Sequence, residues 1–217
     1  MEFREIGIER EFFMVGKDKE IVEPIKYGFP ADAFGFLVEL RSEPGAHLDI
    51  VKMTWDMTRS YWEHRAMRFG MELLDVPFLF KDNNIGKYFY DKYNAALTTD
   101  YTQNIYNTDS KTKLPSHHTG IFFNWWGSTR QCLLTAGMHV HFSIRDETGI
   151  VVPFTIQQIT EIVTYMDNKF ENEISTTYRS KGEWEPKAHG FEYRSIPCNA
   201  NVYKVLQHSF KILREVR

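Results

Sequence analysis

The chain has 217 residues, of which 42% are hydrophobic, 15% aromatic and 25% charged, proportions that exclude disorder, collagen or coiled coil as a description of the whole. A formal charge of −3 argues against a nucleic-acid or anionic-membrane footprint, and two cysteines, Cys132 and Cys198, cannot build a disulfide framework. No run reaches the ~18 apolar residues of a membrane-spanning helix. Glu2, Arg4, Glu5, Glu9, Arg10 and Glu11 crowd the amino terminus and argue against a signal peptide. The expectation is a single domain over 1–217, soluble and cytoplasmic, with reduced thiols.

The first predicted element is a strand over Ile6–Val15. Neighbouring strand residues point to opposite faces, so Glu9 and Glu11 share one face while Ile8, Arg10 and Phe12 lie on the other. A second strand over Phe36–Arg41 sets Glu39 and Arg41 opposite Val38 and Leu40. After a Pro44-Gly45 turn, a helix is predicted from His47 to about Leu74, with Leu48, Val51, Trp55, Trp62, Ala66 and Phe69 at helical spacing.

Residues 77–130 show little periodicity, with asparagines scattered among tyrosines, and read as a long excursion that would cover a site. His117 and His118 within it suit a loop or surface. A third strand, Gly137–Ile144, puts His139 and His141 on one face and Met138, Val140 and Phe142 on the other. A helix is predicted over Pro153–Ile174, with Pro153 at its first position. The fourth strand, Gly190–Ile196, pairs Glu192 with Arg194 opposite Phe191, Tyr193 and Ser195. A last helix runs from about Asn201 to Arg214. Strands interleaved with helices predict an α+β fold: one mostly antiparallel sheet, helices packed on one face and a charged face opposite.

Each ionisable pair alone suits a solvated strand face. Four pairs on four strands, each backed by a packing face, converge into one patch if the strands share a sheet. Two carboxylates about 6.6 Å apart repel by roughly 2–3 kcal/mol at an effective dielectric of 20. Two arginines against four carboxylates leave two negative charges, which divalent cations would offset. Carboxylate oxygens with an imidazole suit Mg²⁺ or Mn²⁺. The arginines would then clamp a phosphate over the metals.

Three stretches carry a family resemblance. Gly7-Ile8-Glu9-Arg10-Glu11-Phe12-Phe13 resembles the Gly-x-Glu-x-Glu-Phe strand of the glutamine synthetase and glutamate–cysteine ligase superfamily. Gly137-Met138-His139-Val140-His141-Phe142-Ser143 is similar to the Gly-Met-His-x-His-x-Ser strand of glutamine synthetases. Phe191-Glu192-Tyr193-Arg194-Ser195-Ile196-Pro197 is similar to their Glu-x-Arg strand, and the order along the chain is the same. The nearest group is the small carboxylate–amine ligases of type 2 found in phages and Firmicutes. The motifs cover only about thirty residues between Glu9 and Pro197.

The resemblance implies a glutamine synthetase-like catalytic sheet and an ATP-dependent ligase that joins a carboxylate to an amine through an acyl phosphate. It implies two or three Mg²⁺ or Mn²⁺ ions held by Glu9, Glu11, Glu39, His139 and Glu192. His141 matches the histidine beside the nucleotide, and Arg194 the arginine that contacts phosphate. Arg179, after Tyr178, is a second phosphate candidate, and Arg130, nine residues before His139, a further nucleotide contact. Glu192, Arg179 and Arg194 would form the catalytic group.

The resemblance has gaps. There is no counterpart of the amino-terminal β-grasp domain or the ammonium site, so neither a large ring nor free ammonia is implied. The expected substrates are a small-molecule or peptide carboxylate and amine. Membrane is not expected, nor nucleic acid except as substrate, and an open sheet edge permits a homodimer. The rivals are a guanidino kinase-like phosphotransferase, a metal-dependent hydrolase, and a binding protein without turnover.

Overall fold

The structure is a computed structural model that describes residues 2–31, 35–93, 103–106, 121–123, 131–177 and 179–216. Arg130, His117, His118 and Tyr178, named above, lie outside the described residues.

The four predicted strands form, and they meet in one sheet. They are β1 (Phe3–Val15), β2 (Leu37–Arg41), β8 (Gly137–Arg145) and β10 (Gly190–Pro197). Three more strands complete this sheet: β3 (Glu72–Leu74), β5 (Gln103–Asn104) and β9 (Glu183–Lys187). The order is β2-β1-β8-β10-β9-β5, with β3 pairing the far end of β1, and every pairing is antiparallel.

The alternation of each predicted strand sorts its residues as expected. Ile6, Ile8, Phe12, Val38, Leu40, Met138, Val140, Phe142, Phe191 and Tyr193 are buried in one core. That core is closed by three helices: α1 (Leu48–Arg68), α3 (Ile156–Lys169) and α5 (Val202–Glu215). Trp55 stacks on Phe12, and Phe142 on Phe191. Arg10 lies on this apolar side. It is buried, sits over the Phe12 ring and pairs with Asp75.

Three boundaries differ from the expectation. Helix α1 stops at Arg68 rather than near Leu74. Gly70 takes a left-handed φ of 69°, and the amides of Gly70 and Met71 return to the carbonyls of Met67 and Ala66. This glycine-centred cap ends the helix and frees Glu72–Leu74 to extend the sheet. The helix expected over Pro153–Ile174 is two helices, α3 and α4 (Glu171–Ser175). It starts after Pro153, because Thr155 and Gln158 form a reciprocal capping box.

The single sheet is also an incomplete description. A second antiparallel sheet, in the order β4-β7-β6, is built from Phe78–Asp82, Gln131–Thr135 and Ile121–Phe123. Helix α2 (Asn83–Tyr93) follows β4 directly. The expected excursion at 77–130 therefore contains regular structure. Phe89 of α2, with Cys132 and Leu134 of β7, shares a second core with Phe13, Phe36, Leu37 and Cys198. Phe13 lies two residues beyond Glu11 on the charged face, so this smaller core abuts the site. Both cysteines are free and buried there. Among the described residues no helix is long and apolar enough to cross a membrane.

Candidate metal centre

Register brings the candidates together. Glu9 on β1 stands opposite Arg41 of β2 on one side and His139 of β8 on the other. Glu192 of β10 stands opposite His141 of β8 and Glu185 of β9. Between Tyr193 and Ile196, β10 spends three residues where β8 spends two, from Val140 to Met138. That bulge falls at Arg194-Ser195 and aims the strand's polar side chains.

The centre is the buried group of Glu9, His139 and Glu192, which are 4%, 1% and 1% exposed. One ligand atom of each lies within 4.8 Å of the others. His139 Nδ1 is 2.9 Å from Glu9 Oε1, to which it donates, and lies 3.1 Å from Glu192 Oε1. His139 Nε2 is buried without a hydrogen-bond partner among the described residues, 4.0 Å from Glu11 Oε1. Burying unsatisfied polar groups is costly. Two carboxylates and an imidazole with a bare buried nitrogen are the donor set that suits a divalent cation such as Mn²⁺. This Glu–His–Glu group can bind a metal ion.

The other predicted ligands sit close by but are otherwise engaged. Glu11 and Glu39 face each other directly across β1 and β2. Glu11 accepts from the Gly137 amide and from Arg179 Nη2 at 3.3 Å, while Glu39 pairs with Arg41. The predicted phosphate contacts also hold carboxylates. Arg194 Nη1 pairs with Glu192 and, at 3.0 Å, with Glu185. Arg179 reaches Glu11 and the Arg194 carbonyl.

Lys187 of β9 is a member of the site that sequence reasoning missed. Its Nζ lies 2.9 Å from both Glu185 and Glu192. Its signal was present, since Glu183, Glu185 and Lys187 alternate as the other pairs do. Pro186, unusual within a strand, hid it. Five carboxylates thus meet four cations, and one negative charge is in excess rather than two. The negative charge left for a metal to offset is therefore smaller than the sequence suggested, while His139 adds an orphaned imidazole nitrogen that the sequence could not show.

His189, in the two-residue turn between β9 and β10, was also missed. Its Nε2 lies 3.1 Å from His141 Nδ1, and His141 Nε2 lies 3.3 Å from Glu9 Oε2. Burial works against ionising Glu9, but hydrogen bonds from His139 and His141 overcome it and hold the carboxyl well below its ordinary range. Burial is likewise outweighed at Glu192, where Arg194 and His139 bring it down to about 2. Burial and the neighbouring His141 lower His189. Burial disfavours the Lys187 ammonium, but Glu192 and Glu185 raise it above its ordinary value. These directions describe ionised carboxylates ready to meet cations.

The fold and site together define a mixed α+β protein with a largely antiparallel sheet, one face of which carries a buried, metal-competent Glu–His–Glu group. No protein-family model matches the chain, and no curated protein matches its sequence.

Proposed function

We propose that the protein is an ATP-dependent carboxylate–amine ligase of the glutamine synthetase-like type, forming an amide or peptide bond. The observation that carries this reading is the buried Glu9–His139–Glu192 group, drawn from three strands in the order the sequence resemblance implies. Glu9, His139 and Glu192 would hold one divalent cation. Glu11 and Glu39, opposed across neighbouring strands, would supply carboxylates for another. Bound cations would neutralise the β- and γ-phosphates of ATP as the phosphoryl group moves.

The chain's own residues do the rest. Arg194 and Arg179 pair with Glu192 and Glu11, and once the carboxylate charge is offset they would be available to contact a phosphate. A substrate carboxylate attacks the γ-phosphate and ADP leaves. An amine then attacks the acyl carbon, loses a proton, and expels phosphate. His141, on the rim of the group and partly exposed, positions the nucleotide.

The test is ADP and phosphate release with ATP, Mn²⁺ or Mg²⁺ and pooled amino acids and small peptides, beside Glu11→Ala. Release that needs both a carboxylate and an amine, yields a product lighter by one water than their sum, and vanishes in the variant supports the reading. A phosphorylated product without an amide would make the protein a phosphotransferase. Absence of nucleotide binding by folded, metal-loaded protein would overturn the ATP-dependent reading.

A further inference from the structure

The residue that the ligase reading leaves without a role is His189. We propose that His189 is a positioning residue: it donates a hydrogen bond to His141 Nδ1, fixing the tautomer in which His141 Nε2–H donates to Glu9.

The chain of contacts dictates the direction. A neutral imidazole has one N–H donor and one bare acceptor nitrogen. Glu9 Oε2 already receives Arg41 Nε at 2.8 Å, and Glu9 Oε1 receives His139 Nδ1, so Glu9 acts as an acceptor throughout. His141 Nε2, 3.3 Å from that same Oε2, must therefore carry the proton. With His141 neutral its Nδ1 is left bare, and among the described residues the atom set against it is His189 Nε2 at 3.1 Å, which then donates. The two ring centroids lie 5.1 Å apart with the planes tilted by 49°, so the rings do not stack.

The backbone is built to deliver this contact. Lys187 pairs with Gly190, so Ala188 and His189 form a two-residue turn between β9 and β10. Gly190 has φ 143°, and a Cβ there would sit 2.1 Å from the Phe142 carbonyl oxygen. Only glycine permits that approach. It presses the turn against β8 beside His141, and His189 reaches His141 from that turn.

The consequence falls on Glu9. Held by Arg41, His139 and His141 together, its carboxylate has one orientation, with Oε1 toward His139 and Glu192. Loss of His189 lets His141 turn over its proton, puts a bare nitrogen against Glu9, and loosens that orientation. The link to cation affinity rests on the ligase reading's assignment of Glu9 as a ligand; the tautomer does not.

The experiment is a long-range ¹H–¹⁵N spectrum of histidine-labelled protein at about pH 8, above the ordinary imidazole value of about 6.5, with His141 assigned by the signal lost in His141→Gln. Wild type is expected to show His141 protonated on Nε2 with a bare Nδ1. His189→Ala should give a mixture of tautomers, and His189→Gln, whose amide can donate, should restore the first. Mn²⁺ affinity should fall on the order of threefold to tenfold in His189→Ala, at or below the low end for outer residues around metal ligands, and recover in His189→Gln. A wild-type His141 protonated on Nδ1 overturns the proposal without any variant, as does a tautomer unchanged by His189→Ala. An altered tautomer with unchanged Mn²⁺ affinity overturns the effect on Glu9. A His189-dependent tautomer in protein that binds no Mn²⁺ at all sinks the metal reading and leaves the positioning role standing.

Discussion

The two faces of the main sheet are made by alternate residues of the same strands, yet they are stabilised by opposite means. Behind the sheet, Phe12, Val140, Phe142 and Tyr193 are buried against α1, α3 and α5, and most of the stability comes from removing apolar surface from water. In front, Glu9, Glu11, His139 and Glu192 are nearly as buried but are held by arginines, a lysine and two histidines. Burial there costs desolvation, and ion pairing barely offsets it. The front face also holds the Glu9–His139–Glu192 group, which can bind a metal ion.

The largest expected effect lies behind the sheet. Phe142→Ala, at a fully buried position between Phe191 and the helices, should lose about 3–5 kcal/mol in urea unfolding. Glu192→Gln, on the opposite face of the sheet, should lose clearly less, because it also relieves a crowded set of carboxylates. Equal losses would break the contrast between the faces.

A second effect separates the faces by sign. Glu192, held near 2 against an ordinary 4.5, contributes stability that is present above 4.5 and lost as pH falls toward 2. Asp167 lies behind the sheet, where it accepts from the Tyr193 hydroxyl at 2.7 Å, and burial raises it above its ordinary 3.8. There the folded state holds the extra proton, so Asp167 contributes stability that declines as pH rises from 3.8 through its raised value. Relative to wild type, Glu192→Gln should therefore lose ground with rising pH and Asp167→Asn should gain it, read from urea midpoints between about pH 3 and 6.

The smallest effect belongs to the rim. Arg41 is 64% exposed where it pairs with Glu9 and Glu39, so Arg41→Ala should change stability by less than about 1 kcal/mol. A larger loss would mean that the front face depends on its rim for folding.

Much of this contrast was readable in the sequence, because period-two alternation assigns faces without knowledge of strand neighbours. Glu9, His139 and Glu192 could each be put on the polar face of its strand from that alone, and they come together because the strands share one sheet. What alternation cannot convey is register, and register decides that Glu39 opposes Glu11 while Arg41 reaches Glu9. Lys187 and His189 escaped for local reasons: Pro186 interrupts a strand pattern, and Ala188-His189 lacks the Asn-Gly signal of a tight hairpin. Strand β3 was hidden because Met71, Leu73 and Leu74 continue the apolar run of α1 past its glycine cap. The small sheet escaped because its strands are short and take their partners from distant segments, Phe80 from Leu133 and Phe122 from the same residue.

The central claim is that the front face binds a divalent cation through Glu9, His139 and Glu192. Mn²⁺ titration by calorimetry and electron paramagnetic resonance, on wild type, His139→Ala and Glu192→Gln, tests it most directly. Wild type is expected to bind saturably, with affinity that falls at least about 100-fold in each folded variant, the upper end of what even an outer-shell change costs. Binding that is absent in wild type, or equally tight in both variants, would contradict it.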